Sequence, residues 1–299
     1  PPIPAMPAPA LARSLAARGA LRDITNTNLP PPAKRGAANA AAENTATVEE
    51  YLVDMRGALA RAERGHGVRA GHMAAQPDLN SGMRAILVDW LMEVHETLRK
   101  RPETLFLAVN LLDRYLSRTR TRIPHTRLQL VGVVAFFVAA KFEEVEPPTA
   151  ERLAYYTDGA VTVREILALE CQLLATLNFC VAAPVQPHFL DGVRHARLCD
   201  KACCDLAGCM LELGLFESRL SCQPPSKLVA AALLLGNELT GQRHVWPPAL
   251  VRHLGHSQAS LKVCLEEFRA LLSSGPTGSR AVRGRHPELW RRLAHAAPA

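Results

Sequence analysis

Aromatic residues make up only 5% of the 299 positions, and runs of β-branched residues are short. No stretch alternates apolar with polar side chains as a half-buried strand does, so a β-sandwich or barrel is excluded. The chain also lacks a long apolar run. Leu128–Ala140 and Leu228–Gly236 are the longest, against the ~20 residues that cross a bilayer. The first twenty residues hold no continuous apolar core of a secretory signal. None of the eight cysteines forms a CxxC pair; reduced thiols in the cytosol or nucleus are expected. A clustered basic run is missing too. The net charge of +7 comes mostly from arginines placed singly, which argues against a nucleic-acid surface.

Catalytic and metal-binding signatures are equally scarce. There is no GxxxxGK[ST] phosphate loop, no HExxH and no GxSxG. Gly65-His66-Gly67 follows a helical pattern rather than a strand, so it is no dinucleotide fingerprint. His195, Cys199 and Cys203, at i, i+4 and i+8, would share one helix face, but no second cluster completes a tetrahedral site. Neither enzyme chemistry, nor a metal, nor a cofactor is expected.

What is present is helix. Hydrophobic residues reach 48%, and alanine and leucine dominate. Residues 1–45 are rich in Pro and Ala, contain Pro30-Pro31-Pro32 and read as a disordered tail. Residues 46–82 hold one helix and a linker: Val48, Tyr51, Leu52 and Met55 recur at helical spacing after Thr47, a plausible N-cap, and Gly65–Gly71 breaks the pattern. Five helical segments follow over 83–181: Ser81–Leu98, Pro102–Ser117, Pro124–Lys141, a short one near Pro148, and Val161–Leu177. Five more span 182–275, at Val185–Arg194, Ala196–Leu215, Pro225–Leu239, Pro247–Leu254 and Ser257–Ser273. The third segments echo each other, Gln129-Leu130-Val131 against Lys227-Leu228-Val229. A tandem repeat of one five-helix unit is the reading, followed by a tail over 276–299.

Several charges sit where burial is costly. Lys141 closes the third segment beyond Phe137 and Val138, and Glu170 lies among Ile166, Leu167, Leu173 and Leu174. Lys and Glu are almost never fully buried unpaired, so these two either pair or face a partner protein. Arg84 and Asp113 suit a structural ion pair within a bundle. The first segment carries two apolar stripes: Met83, Ile86, Leu87 and Trp90 on one side, Ala85, Val88, Leu91 and Met92 on another. Either both are buried or one is an exposed docking patch.

Taken in order, Met83-Arg84-Ala85-Ile86-Leu87-Val88-Asp89-Trp90-Leu91, Leu107-Ala108-Val109-Asn110, Asp113-Arg114-Tyr115-Leu116, Leu128-Gln129-Leu130-Val131-Gly132 and Lys141-Phe142-Glu143-Glu144 with Pro147-Pro148 resemble the cyclin box of mitotic cyclins. Gln76-Pro77-Asp78, Trp246-Pro247 and Ser260-Leu261-Lys262 point to the A type, with the B type as alternative. Departures are Glu146, where an aromatic residue is frequent, and His72, where a tyrosine is expected.

The resemblance implies an all-α fold of two tandem five-helix cyclin boxes and a non-catalytic subunit that activates a cyclin-dependent protein kinase through S phase and G2/M in nucleus and cytoplasm. It implies that Lys141, Glu170, Phe142, Glu143 and Glu144, with Val48, Tyr51 and Met55, meet the kinase. Met83, Ile86, Leu87, Trp90, Glu93 and Gln129 would dock Arg-x-Leu substrates and inhibitors. Arg18, Leu21, Asp23, Ile24 and Asn26 resemble a destruction box read by the anaphase-promoting ubiquitin ligase, with Lys34 as acceptor. No nucleic-acid or membrane partner is implied. The alternatives are a cyclin-fold transcription or docking module without a kinase, and a mitochondrial subunit whose Arg13, Arg18 and Arg22 would belong to a transit peptide.

Overall fold

A computed structural model describes residues 53–69 and 71–274, with residues 282 and 287. Among the described residues there are helices and no strands. Helical residues 53–63 (α1) are followed by α2 (Ser81–Leu98), α3 (Pro102–Arg118), α4 (Leu128–Glu143), α5 (Ala150–Tyr156) and α6 (Val163–Thr176). A second set follows: α7 (Gln186–His195), α8 (Lys201–Gly214), α9 (Pro225–Leu239), α10 (Pro248–Leu254) and α11 (Lys262–Ser274). Helices α2–α6 and α7–α11 are thus two tandem five-helix units.

The starts of these helices are written in local chemistry. The Asn80 side chain accepts from the Met83 amide at 2.9 Å to open α2. Thr162 and Glu165 form a reciprocal capping box at α6, and Asp200 caps α8 by accepting from Cys203 at 2.7 Å. Such caps satisfy amides that have no partner inside the helix. Pro102 and Pro225 stand at the first helical positions of α3 and α9, where a missing N–H costs nothing.

Helix α4 is apolar on every side and buried from Leu130 to Ala140, as its sequence predicts. By length and composition alone His125–Glu143 would reach across a bilayer, but 67% of that window is buried inside the bundle. It is the core helix of the first unit, and α9 is its counterpart in the second. Helix α2 crosses α4 at Gly132, where a Cβ would stand 2.7 Å from Leu87 Cδ1. Only glycine permits that approach.

Arg84 ties the two units together, and Glu63 ties α1 to the second. Arg84 and Asp113, both fully buried, form a two-pronged pair at 2.7 and 2.6 Å. Arg84 Nη1 also donates to the carbonyl of Leu215 at the end of α8, 2.8 Å away. From α1, Glu63 accepts from the Ser226 amide at 2.6 Å and from its hydroxyl at 2.8 Å.

One expectation fails in the second unit. The segment from Ala196 to Leu215 is not one helix, because Arg197 adopts φ 51° and α8 starts only at Lys201. The amides of Ala196, Arg197 and Leu198 bond back to Gly192, Arg194 and Val193, closing α7. His195, Cys199 and Cys203 therefore do not share a helix face. Among the described residues no group of three or more His, Cys, Asp or Glu could hold a metal.

Candidate functional site

Helix α4 ends in Lys141-Phe142-Glu143 and lies against α6. Lys141 Nζ, on α4, pairs with Glu170 Oε1, on α6. The two charges answer each other at the surface: the Glu170 side chain keeps 12% of its exposure and that of Lys141 38%. The ammonium also sits 4.0 Å from the centroid of the Phe137 ring, an attractive placement for a cation.

The first unit also leaves large apolar side chains in the open. Phe142 is 52% exposed, Val145 99% and Tyr155 81%. Leu167, one helical turn before Glu170 on α6, is also exposed. The sequence reading missed Val145, Tyr155 and Leu167. For Leu167 the signal was available, three residues before Glu170 in a helix with only Ile166 and Leu173 buried.

Phe142 also lines a groove of about 310 Å³, together with Met55 and Leu59 of α1, Glu143, Ala183 and His188. Met55, Phe142 and Glu143 therefore share one surface feature. Burial pushes the Glu143 carboxyl up, reinforced by Glu103 and Glu144 and opposed by His188 and Arg101. Val48 and Tyr51, read as partners of Met55, lie outside the described residues.

Glu144 is engaged within the first unit. Its Oε1 accepts from the Arg101 amide at 2.8 Å and from Thr104 Oγ1 at 2.5 Å. The side chain of Arg101, the N-cap residue of α3, makes no cap of its own. The Glu144 carboxylate supplies that cap and the negative charge a helix start favours. It fastens α3 rather than standing free on the surface.

The second candidate surface lies on α2. Ile86 is 73% exposed, Met83 and Trp90 are half-buried, and Glu93 is exposed. They follow one another at i, i+3, i+7 and i+10 along one face. Gln129, at the start of α4, is half-buried. Leu87 corrects the expected stripe: it is buried against Gly132 and belongs to the core. Val88, Leu91 and Met92, the other stripe, are fully buried. Arg18, Leu21, Asp23, Ile24, Asn26 and Lys34, the expected destruction signal and acceptor, lie outside the described residues.

Residues 54–182 match the N-terminal domain of cyclins and residues 184–288 the C-terminal domain. Cyclin-A1 of Mus musculus is 39% identical over 242 residues, covering 80% of this chain and 56% of that protein. Cyclin-B2-1 of Arabidopsis thaliana is 37% identical over 238 residues, covering 79% and 55%. The chain thus spans a little over half the length of these relatives. The crystal structure of a viral cyclin from herpesvirus saimiri superposes with a TM-score of 0.61 at 19% identity, over 78% of this chain and 97% of that one; that likeness concerns the fold. Two cyclin domains in tandem, in the same order and with the same helical architecture, place this chain in the cyclin family, on the A-type side with B-type members close behind.

Proposed function

We propose that this chain is the non-catalytic activating subunit of a cyclin-dependent protein kinase. The observation that carries it is the Lys141–Glu170 pair, with exposed Leu167 one turn from Glu170 and exposed Phe142, next to Lys141, lining the groove beneath α1. Apolar side chains supply the area that a partner must cover, ~800 Å² on each side of an interface of ordinary size. A charged pair at its centre fixes register, because Lys141 and Glu170 can each turn to backbone groups of the partner once water is excluded. Binding one kinase conformation better than another shifts the kinase towards the form in which its own Lys–Glu pair is made. The family assignment and the relatives named above support this reading.

The test is activation in vitro. A cyclin-dependent kinase mixed with the purified chain should gain activity, and Lys141→Ala with Glu170→Ala should weaken binding more than tenfold. An unchanged titration by the double variant, folded by circular dichroism, would remove these residues from the interface.

Two finer parts of the reading rest on other residues. The α2 face of Met83, Ile86, Trp90 and Glu93 suits an Arg-x-Leu motif, with apolar side chains for the leucine and a carboxylate for the arginine. The stretch Arg18-Gly19-Ala20-Leu21-Arg22-Asp23-Ile24-Thr25-Asn26 suits recognition by the anaphase-promoting ubiquitin ligase, which would time the protein through S phase and G2/M in nucleus and cytoplasm. Arg18→Ala with Leu21→Ala should keep the protein present through mitotic exit in synchronised cells. Disappearance on the wild-type schedule would rule the segment out as the signal.

A further inference from the structure

The end of α3 and the loop that leads to α4 gather positive charge. Arg118, Arg120, Arg122 and Arg127 fall within ten residues, and no Asp or Glu occurs from Arg114 to Phe142. Two of the four arginines are answered from elsewhere, Arg122 by Asp78 and Arg127 by Glu165. The other two are not. Arg118 is half-buried and Arg120 exposed, and neither side chain makes an ion pair or a hydrogen bond among the described residues.

Four hydroxyls share this stretch, and they are not equivalent. Ser117 lies inside α3, where its Oγ donates to the Arg114 carbonyl at 2.8 Å. Thr119 is half-buried, and its Oγ1 accepts from the Thr121 amide at 3.2 Å. Thr126 stands in the single helical turn His125–Arg127, with Ile123 three residues before it. Thr121 differs from all three. It is exposed, in irregular chain, with Arg118 and Arg120 three and one residues before it and Arg122 next after it. Gln76 holds its backbone in place, donating from Nε2 to the Thr121 carbonyl at 3.3 Å and accepting from the Ile123 amide at 2.9 Å. The Thr121 hydroxyl itself has no hydrogen bond among the described residues. It borders a cleft of about 220 Å³ beside α6, which leaves open space at the side chain.

We infer that Thr121 is a phosphorylation site for a basophilic protein kinase, one whose substrate cleft is lined with carboxylates. The unpaired Arg118 and Arg120 meet those carboxylates, and charge patterns of this kind are how kinases select substrates. In the transfer, Thr121 Oγ1 attacks the γ-phosphorus of ATP. A P–Oγ1 bond forms, the bond from that phosphorus to the β,γ-bridging oxygen breaks, and ADP leaves with the electron pair. The hydroxyl proton passes to the catalytic aspartate of the kinase. The product adds about −1.5 to −2 of charge, enough to cancel the two unpaired arginines. Gln76 and the Arg122–Asp78 pair fasten the loop to the segment that enters α2, so the change of charge falls at that end of the helix.

The test uses the full chain, radiolabelled ATP and two purified kinases. The catalytic domain of protein kinase C is the basophilic probe, and casein kinase 2, which selects acidic surroundings, is the control. Protein kinase C should label Thr121, located by tandem mass spectrometry, and casein kinase 2 should not. Thr121→Val, close in shape, should remove that label. Arg118→Ala with Arg120→Ala should lower kcat/KM for Thr121 by about tenfold or more, and Arg118→Lys with Arg120→Lys should recover most of the loss, because charge rather than shape is read. All four substitutions lie at solvent-facing or half-buried positions, and each variant is compared at the wild-type melting temperature, so that unfolding does not expose the loop. The inference is overturned if protein kinase C leaves Thr121 of the folded chain unlabelled or if the label persists in Thr121→Val. It also fails if the double alanine variant is labelled at the wild-type rate, or if both kinases label Thr121 equally, since exposure alone would then decide.

Discussion

Arg84 on α2 and Asp113 on α3 form a fully buried pair, and the same guanidinium reaches across to the carbonyl of Leu215 on the second unit. Burial alone would push the proton off the guanidinium, but the Asp113 carboxylate outweighs it and holds the arginine charged. One side chain thus joins α2, α3 and the end of α8. Removing one partner of such a pair leaves a charge stranded in the core, at a cost of ~3–5 kcal/mol. Arg84→Ala and Asp113→Ala should each lower the unfolding free energy measured in urea by that order. The double variant should cost clearly less than the sum of the two, since neither charge is then left alone. Strict additivity in equilibrium unfolding would show that the two side chains act separately.

The exposed pair should behave oppositely. Lys141 and Glu170 are still reached by water, and pairs of this kind contribute ~1 kcal/mol or less to folding. Lys141→Ala should therefore leave the unfolding midpoint nearly unchanged while weakening kinase association more than tenfold, measured by titration calorimetry. A large loss of stability with intact kinase binding would assign the pair to the fold alone.

Periodicity carried much of the architecture. Helix α4 is apolar all round and is central; the Gln129-Leu130-Val131 echo in Lys227-Leu228-Val229 marks the repeat that the two helix sets display. The failures share one cause, which is that neighbours distant in sequence decide them. Leu87 was grouped with Ile86, yet successive residues on a helix stand about 100° apart, and the edge of the core falls between them because Gly132 admits Leu87. Glu144 looked like a surface charge because its partners, Arg101 and Thr104, come some forty residues earlier. The break before α8 depends on left-handed backbone at Arg197, a conformation that an arginine does not announce.

An acid-sensitive latch follows from α1. Arg56 donates to His253 Nδ1 at 3.4 Å, and Gly192 of α7 lies against the same ring. Burial, aided by the Arg56 charge, pushes His253 from 6.5 down to about 4. The folded state thus holds this histidine neutral, while the unfolded chain protonates it near pH 6.5. Its contribution is complete above pH 6.5 and is lost as pH falls towards 4. The half-exposed ring limits the effect to about 1–2 kcal/mol. His253→Gln should flatten the pH dependence of the melting temperature between pH 6.5 and 4. An unchanged slope would place the acid sensitivity elsewhere, for instance at His256, whose protonation burial also disfavours.

The α2 surface yields the sharpest separation of roles. Ile86 is largely exposed while Leu87, its neighbour, is buried against Gly132. Leu87→Ala should open a cavity and cost ~2–5 kcal/mol of stability. Ile86→Ala, on the solvent side, should change stability by no more than ~0.5 kcal/mol. Function should divide the other way. A Met83/Ile86/Trp90 triple alanine variant should activate the kinase normally towards a short peptide lacking Arg-x-Leu. It should raise KM for a protein substrate that carries the motif while leaving kcat nearly unchanged, since docking raises local substrate concentration and does not touch the chemical step. Trp90 is half-buried, so the melting temperature of the triple variant must be read alongside. If both substrates lose activity while the melting temperature holds, the face meets the kinase rather than the substrate. If the motif-bearing substrate retains its wild-type KM, docking occurs on another surface, and the exposure of Ile86 requires a different partner.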